Sequence, residues 1–227
     1  SRPIQEMGSG IAPGATGLDL AAAWLMYVFV QGKFWVLFSL LFGMGFAVMS
    51  ARAGDAKTFN KAYVRRCAVL LLFGVAHAVL LWPGDILHSY AVAALILLAF
   101  GEMADRKRLW LGVALYTGVV LLSLLIGGML SVLPAEANEE LLKASGLTRE
   151  ALAAATQAYA QGDFMQVTAQ RTQDFMRVLQ GDVVVVPMAI GVFMIGVWLV
   201  RSGRMHDVAA QRAFFARLAL YAIPAGL

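Results

Sequence analysis

No charged side chain interrupts residues 34–51, 67–84, 86–101, 109–135 or 183–200, and these runs limit what the chain can become more than any motif does. A helix needs about 20 apolar residues to cross a bilayer, or about 17 when its flanking groups snorkel. Four of the runs reach that length. Residues 86–101 make a short fifth, whose end has to reach into headgroups. Hydrocarbon tolerates only structures that satisfy their own backbone hydrogen bonds, and runs this continuous select helices over alternating strands. The prediction is an all-α polytopic transmembrane bundle. Composition agrees: 60% of residues are hydrophobic and 14% charged, where a soluble domain carries about 25% charged residues.

Two further segments raise the expected count to six or seven spanning or re-entrant helices. Residues 20–32 lie between Asp19 and Lys33 and suit a re-entrant or interfacial helix. A last apolar segment opens at Leu218 and the sequence ends inside it; with a first residue that is Ser, this reads as part of a longer polypeptide. The predicted organisation is a Gly-rich flank (1–16), membrane helices (17–134), an extracytoplasmic helical segment (135–181) and further membrane helices (182–227).

Lys and Arg set the orientation. Arg52, Lys57, Lys61, Arg65 and Arg66, then Arg106, Lys107 and Arg108, then Arg201, Arg204, Arg212 and Arg217 recur at every second loop. The positive-inside rule places all three groups in the cytoplasm, as for a bacterial inner-membrane protein. The formal charge of +4 is then a basic membrane fringe and requires no nucleic-acid partner. The WPGD turn at residues 82–85 and residues 136–182 fall outside. Cys67 is the sole cysteine, so neither an internal disulfide nor a thiolate metal cluster is expected.

The outer segment has helix signals of its own. Thr148 can cap a helix that stops at Gly162, and Asp163 can cap a second that closes at Gly181. In the second, Phe164, Val167, Phe175, Val178 and Leu179 fall on one stripe beside Arg171 and Asp174. An amphipathic cap over the outer mouth, or a helix resting on headgroups, would both look like this.

Inside the second run stands His77, about 16 Å along the helix from Arg66. An imidazole at that depth is expected to face the bundle or a wet cavity, as a general base, a proton relay, a ligand contact or a structural hydrogen bond. Pro83 and Gly84 end the span, and Asp85 is placed to cap the next helix from Ile86, a role compatible with orienting a nearby histidine. His88 and Tyr90 follow on its first turns. Lys33 suits a snorkelling anchor, and Trp35 and Trp82 an interfacial belt. Gly43 with Gly45, and Gly127 with Gly128, would allow close helix packing. No phosphate loop, GxSxG elbow, HExxH or CxxC occurs, which removes soluble-type hydrolases and zinc enzymes; no metal is expected.

Three blocks, GKFWVLFSLLFGMGFAV (32–48), RRCAVLLLFGVAHAVLLWPGDILHSYA (65–91) and GVWLVRSGRM (196–205), resemble the YeiB-like family of bacterial inner-membrane proteins. That family is similar to transmembrane acyltransferases of the heparan-glucosaminide acetyltransferase type. Lys33, Phe34, Gly43, Gly45, Arg65, Arg66, Gly74, His77, Trp82, Gly84, Asp85, Tyr90, Gly196 and Arg201 match the pattern. A family span with an Arg-Gly pair before these blocks, and several spans after them, are absent here. The resemblance implies transfer of an acyl group from cytoplasmic acyl-CoA, such as acetyl-CoA, to an outer acceptor, typically a glycan. In that reading His77, Asp85 and Lys33 are catalytic: His77 deprotonates the acceptor, Asp85 holds its other nitrogen, and Lys33 or Arg171 steadies the oxyanion. Arg65 and Arg66 suit the phosphates of the donor, although topology alone would also put them there. Trp82, His88, Tyr90 and Arg171 complete the expected substrate-binding set. A transporter or permease relaying protons through His77 and Asp85 remains the alternative.

Overall fold

Thr148 and Asp163 start helices as their sequence signals require. Thr148 accepts a hydrogen bond from the Ala151 amide, and Asp163 forms a full capping box with Gln166. In the computed structural model, which describes residues 16–29, 33–145, 148–205, 207 and 209–226, these are two starts in an all-helical chain. The elements are α1 (Gly17–Phe29), α2 (Lys33–Arg52), α3 (Ala56–Leu80), α4 (Leu87–Leu97, prolonged by the 3₁₀ turn Leu98–Phe100), α5 (Asp105–Ser131), α6 (Ala135–Ala144), α7 (Arg149–Gln161), α8 (Phe164–Arg201) and α9 (Arg212–Gly226). Four of them, α2, α3, α5 and α8, are long and apolar enough to cross a membrane. With 13 residues, α1 is too short to cross. The Gly-rich flank before it lies outside the described residues.

The long helix α8 is the axis of the bundle, packed against α2, α3, α4 and α5. Glycine makes the crossings of α8 with α2 and with α5. A Cβ added at Gly43 of α2 would strike the Phe193 backbone, and one at Gly196 of α8 would meet Leu40 and Met44 of α2. Between α5 and α8, Gly112 and Gly191 face each other, each with the other's carbonyl under 3 Å from where a Cβ would stand. Backbones approach this closely only where a side chain is missing, and in a membrane such packing replaces the hydrophobic drive. The core then fills with Phe46, Tyr63, Tyr90, Leu97, Phe193, Met194 and Val197. The C-terminal half of α5, by contrast, exposes Leu121, Leu122, Leu124, Leu125 and Ile126.

Two expectations fail here. The helix starting at Asp163 does not close at Gly181: α8 runs on through Gly181 and Pro187 to Arg201, merging the outer segment with the following span. A glycine costs a helix only about 1 kcal/mol, and packing of Val186, Ala189, Ile190 and Phe193 carries the helix past both breakers. Nor do Gly127 and Gly128 support a crossing, since open space surrounds both among the described residues.

At the basic end of the bundle, Arg108 is fully buried. Its Nη2 donates to the carbonyls of Phe100, Gly101 and Met103, and its Nη1 to Asp105. These are carbonyls left over where α4 ends, so this arginine is a structural cap. Arg201 donates to the same Gly101 carbonyl at 3.2 Å, tying α8 to the turn.

Candidate functional site

From the Gly101 carbonyl upward, α4 and its 3₁₀ turn climb only about 20 Å. The hydrocarbon core is about 30 Å thick. The irregular stretch between α3 and α4 therefore lies nearer to the Gly101 turn than a full crossing would put it. Non-helical backbone at that depth persists only where protein covers it or it lines a wet cavity.

Both conditions involve α8. At 38 residues it is about 57 Å long, so its N-terminal half projects beyond the uncharged run 183–200. This projecting half lies over the α3–α4 turn. Arg171 Nη1 donates to the Leu80 carbonyl, the last of α3, at 2.6 Å, and Phe175 sets its ring edge-on to His88 at 4.9 Å. The short helix α7 braces it: Tyr159 donates to Asp174, which is fully buried and also receives Gln170 and Arg177. Burial and then the Asp174 carboxylate push the Tyr159 phenol up from its ordinary value.

Within the turn, His77 and Asp85 come together. His77 Nδ1 stands 3.7 Å from Asp85 Oδ1, too far for a direct hydrogen bond. Both His77 Nδ1 and Asp85 Oδ2 are buried without a protein partner. The His77 side chain is nevertheless 38% exposed, against 7% for Asp85. One face of the pair is thus open. Asp85 does not cap α4, contrary to expectation. The cap position is Ile86, which makes no side-chain cap bond, and the Asp85 carboxylate is turned back toward α3. A helix beginning one residue later than the pattern suggests leaves that carboxylate free to face the histidine.

A second pair lies next to the first. Gly74, one turn before His77, lets α3 touch α4 at His88, whose amide nitrogen would stand 2.6 Å from a Cβ there. His88 is 1% exposed. Its Nε2 is 3.1 Å from Asp182 Oδ2 of α8 and 3.1 Å from Ser89 Oγ, which in turn donates to Asp182 Oδ1 at 2.6 Å. The residue types are those of a serine triad but the wiring is not. In a triad the imidazole uses different nitrogens for serine and carboxylate, whereas here one nitrogen faces both and Nδ1 has no partner. The cluster ties α4 to α8. Sequence reading missed Asp182 because a helix end was expected at Gly181, which made the aspartate look like a loop residue. Its position one residue before an uncharged run was the signal available.

The other expected site residues divide. Trp82 is half exposed, with its amide donating to the His77 carbonyl at 2.9 Å and its ring lying where a side chain at Gly84 would stand. Tyr90 is buried, its hydroxyl accepting from Ser39 and donating to the Trp35 carbonyl, both at 2.8 Å. Both hydrogen bonds tie α4 to α2 and commit the hydroxyl proton within the protein. Lys33 opens α2 at its outer end and is exposed. Arg66 reaches back along α2 to the Met49 sulfur at 2.9 Å and stacks over Phe42 at 5.6 Å, while Arg65 is exposed. Neither lines a described pocket. The arginines that do are Arg52 and Arg201. Among the described residues no group of three or more His, Cys, Asp or Glu side chains is arranged to hold a metal ion.

Two bacterial proteins show clear sequence similarity. The uncharacterized protein YxaH of Bacillus subtilis (strain 168) is 46% identical over 99 residues, which is 43% of this chain and 25% of that protein. An uncharacterized 39.9 kDa protein in the amylase 3′ region of Bacillus acidopullulyticus is 36% identical over 112 residues, 48% of this chain and 30% of that protein. The matches thus span a third or less of the relatives' own length. No family profile and no solved structure matches the chain.

Proposed function

We propose that the protein is an inner-membrane acyltransferase-like enzyme in which His77 and Asp85 do acid–base chemistry at an outer acceptor. One observation carries this reading: a half-open His–carboxylate pair, each partner with an unsatisfied buried atom, in the irregular turn between two apolar helices. Such a pair suits general base catalysis, where the carboxylate orients the ring and steadies the imidazolium. The YeiB-like resemblance supplies the donor and acceptor classes. An acceptor hydroxyl, on a glycan for instance, gives its proton to His77 as its oxygen attacks the carbonyl of an acyl-CoA thioester. The C–S bond then breaks, and the coenzyme A thiolate leaves and takes up a proton. By the same resemblance Lys33, the first residue of α2, or Arg171, which donates to the Leu80 carbonyl, would steady an oxyanion or an acidic acceptor.

The burial of a second pair, His88 with Asp182, favours one other reading: proton-coupled transport through two neighbouring His–Asp pairs. One experiment separates them. The full-length protein is reconstituted in liposomes with labelled acetyl-CoA on the cytoplasmic side and envelope glycans on the other, with His77→Ala in parallel. Acyl transfer predicts label on the outer acceptor with the wild type and a loss of about 10²–10⁴-fold in the variant. No transfer from any donor, together with substrate-dependent proton flux requiring His77, overturns it in favour of transport.

A further inference from the structure

The helices α2 and α8 meet at Gly43 and Gly196, and their basic ends, Arg52 and Arg201, flank one cleft. This cleft is a pocket of about 430 Å³, within the range of pockets that hold small ligands. Its walls are Ala47, Val48, Ala51 and Val200, and its remaining lining is Arg52 and Arg201, the last residues of the two helices. An apolar cleft bearing two guanidiniums is an amphiphile's shape: a chain against the alanines and valines, an anion at the arginines.

We propose that this pocket is a binding site for an anionic phospholipid of the cytoplasmic leaflet, its phosphate between Arg52 and Arg201 and part of one acyl chain in the cleft. Three observations support this occupant. Among the described residues no carboxylate pairs with Arg52, so that cation is available. Arg201 is already oriented by the Gly101 carbonyl at 3.2 Å and by Asp105 at 3.9 Å, which lowers the ordering cost of binding an anion. The Val48 wall is 37% exposed on a membrane helix, so the cleft is reached sideways, from lipid. Juxtamembrane arginines attract anionic lipids by about 1 kcal/mol each, or about fivefold in affinity. The site is independent of acyl transfer, being at the opposite end of the bundle from His77.

Native mass spectrometry of the detergent-purified full-length protein tests it, with phosphatidylglycerol, phosphatidylcholine and palmitoyl-CoA offered in turn. Phosphatidylglycerol should be retained over phosphatidylcholine. Arg52→Gln, at an exposed residue with no partner to disturb, should cut that retention about fivefold, and Arg52→Gln with Arg201→Gln further. Ala51→Leu, which fills the cleft and keeps both charges, should lower it as well. Equal retention of the two lipids, or indifference to Arg52→Gln, overturns the proposal. Binding of palmitoyl-CoA that needs both arginines, with phosphatidylglycerol unaffected by their loss, also overturns it and assigns the pocket to a thioester.

Discussion

Asp182→Ala removes the carboxylate that joins α4 to α8, and the geometry sets how much that should cost. One hydrogen bond disappears, from Ser89 Oγ at 2.6 Å, together with the polar contact of His88 Nε2 at 3.1 Å. Hydrogen bonds between membrane helices contribute about 0.6 kcal/mol each on average and up to about 1.7, which brackets the pair at about 1–3 kcal/mol. Breaking a fully buried ion pair can cost about 3–5 kcal/mol, but that limit is not reached here. Asp182 is 17% exposed, and His88 Nε2 keeps Ser89 Oγ at 3.1 Å, so neither loss is complete. We expect about 2 kcal/mol, read by equilibrium unfolding in micelles through tryptophan fluorescence. Ser89→Ala in the same background should be non-additive by at least about 0.5 kcal/mol, because both residues act through one carboxylate. His77→Ala is the control. With its side chain 38% exposed and 3.7 Å from Asp85, it should cost under about 1 kcal/mol while removing activity. A loss below about 0.5 kcal/mol for Asp182→Ala, or a larger loss for His77→Ala, would refute the assignment of one pair to structure and the other to chemistry.

Gly196→Ala should destabilise by about 1–3 kcal/mol, since the new methyl meets the Leu40 and Met44 backbone, whereas Gly127→Ala, in open space, should be neutral or stabilising; unfolding in micelles compares them. Arg108→Leu leaves the Met103 carbonyl without its donor and takes one donor each from Phe100, which keeps the Met103 amide, and Gly101, which keeps Arg201; it should cost about 1–3 kcal/mol in the same assay. The brace between α7 and α8 should depend on alkaline pH. The folded-state value of the Tyr159 phenol is raised above its ordinary 10.0, so the contact is complete below that pH and lost as pH rises through the higher folded value. A fluorophore on α7 should report its release only in that range, and Tyr159→Phe should abolish the transition.

How much was legible differs by the range of the interaction involved. Uncharged runs announced α2, α3, α5 and the inner part of α8, because hydrophobic length is a local property and hydrocarbon leaves backbone few alternatives. Caps at Thr148 and Asp163 were equally readable, each being a contact within three residues. The passage of α8 through Gly181 was not. Local propensity marks a glycine as a stop, and what overrides it is packing against helices far away in sequence.

The same division runs through the site. His77, WPGD and the basic turns stand out by themselves, since a titratable ring in an apolar run and a Pro-Gly break are anomalies that need no partner to be noticed. Membrane helicity, the basic ends and the existence of an unusual turn between α3 and α4 were determined by the sequence alone. Tertiary structure decided which carboxylate faces which imidazole: Asp85 turned from capping to His77, and Asp182 joined to His88 and Ser89 from 93 residues away. It also decided that Arg108 is a buried cap while Arg52 and Arg201 line a cleft. Charge and polarity are written along the chain, but pairing depends on helix crossings. Those crossings are set where glycines such as Gly43, Gly112, Gly191 and Gly196 find each other, a match between distant surfaces that no local pattern encodes.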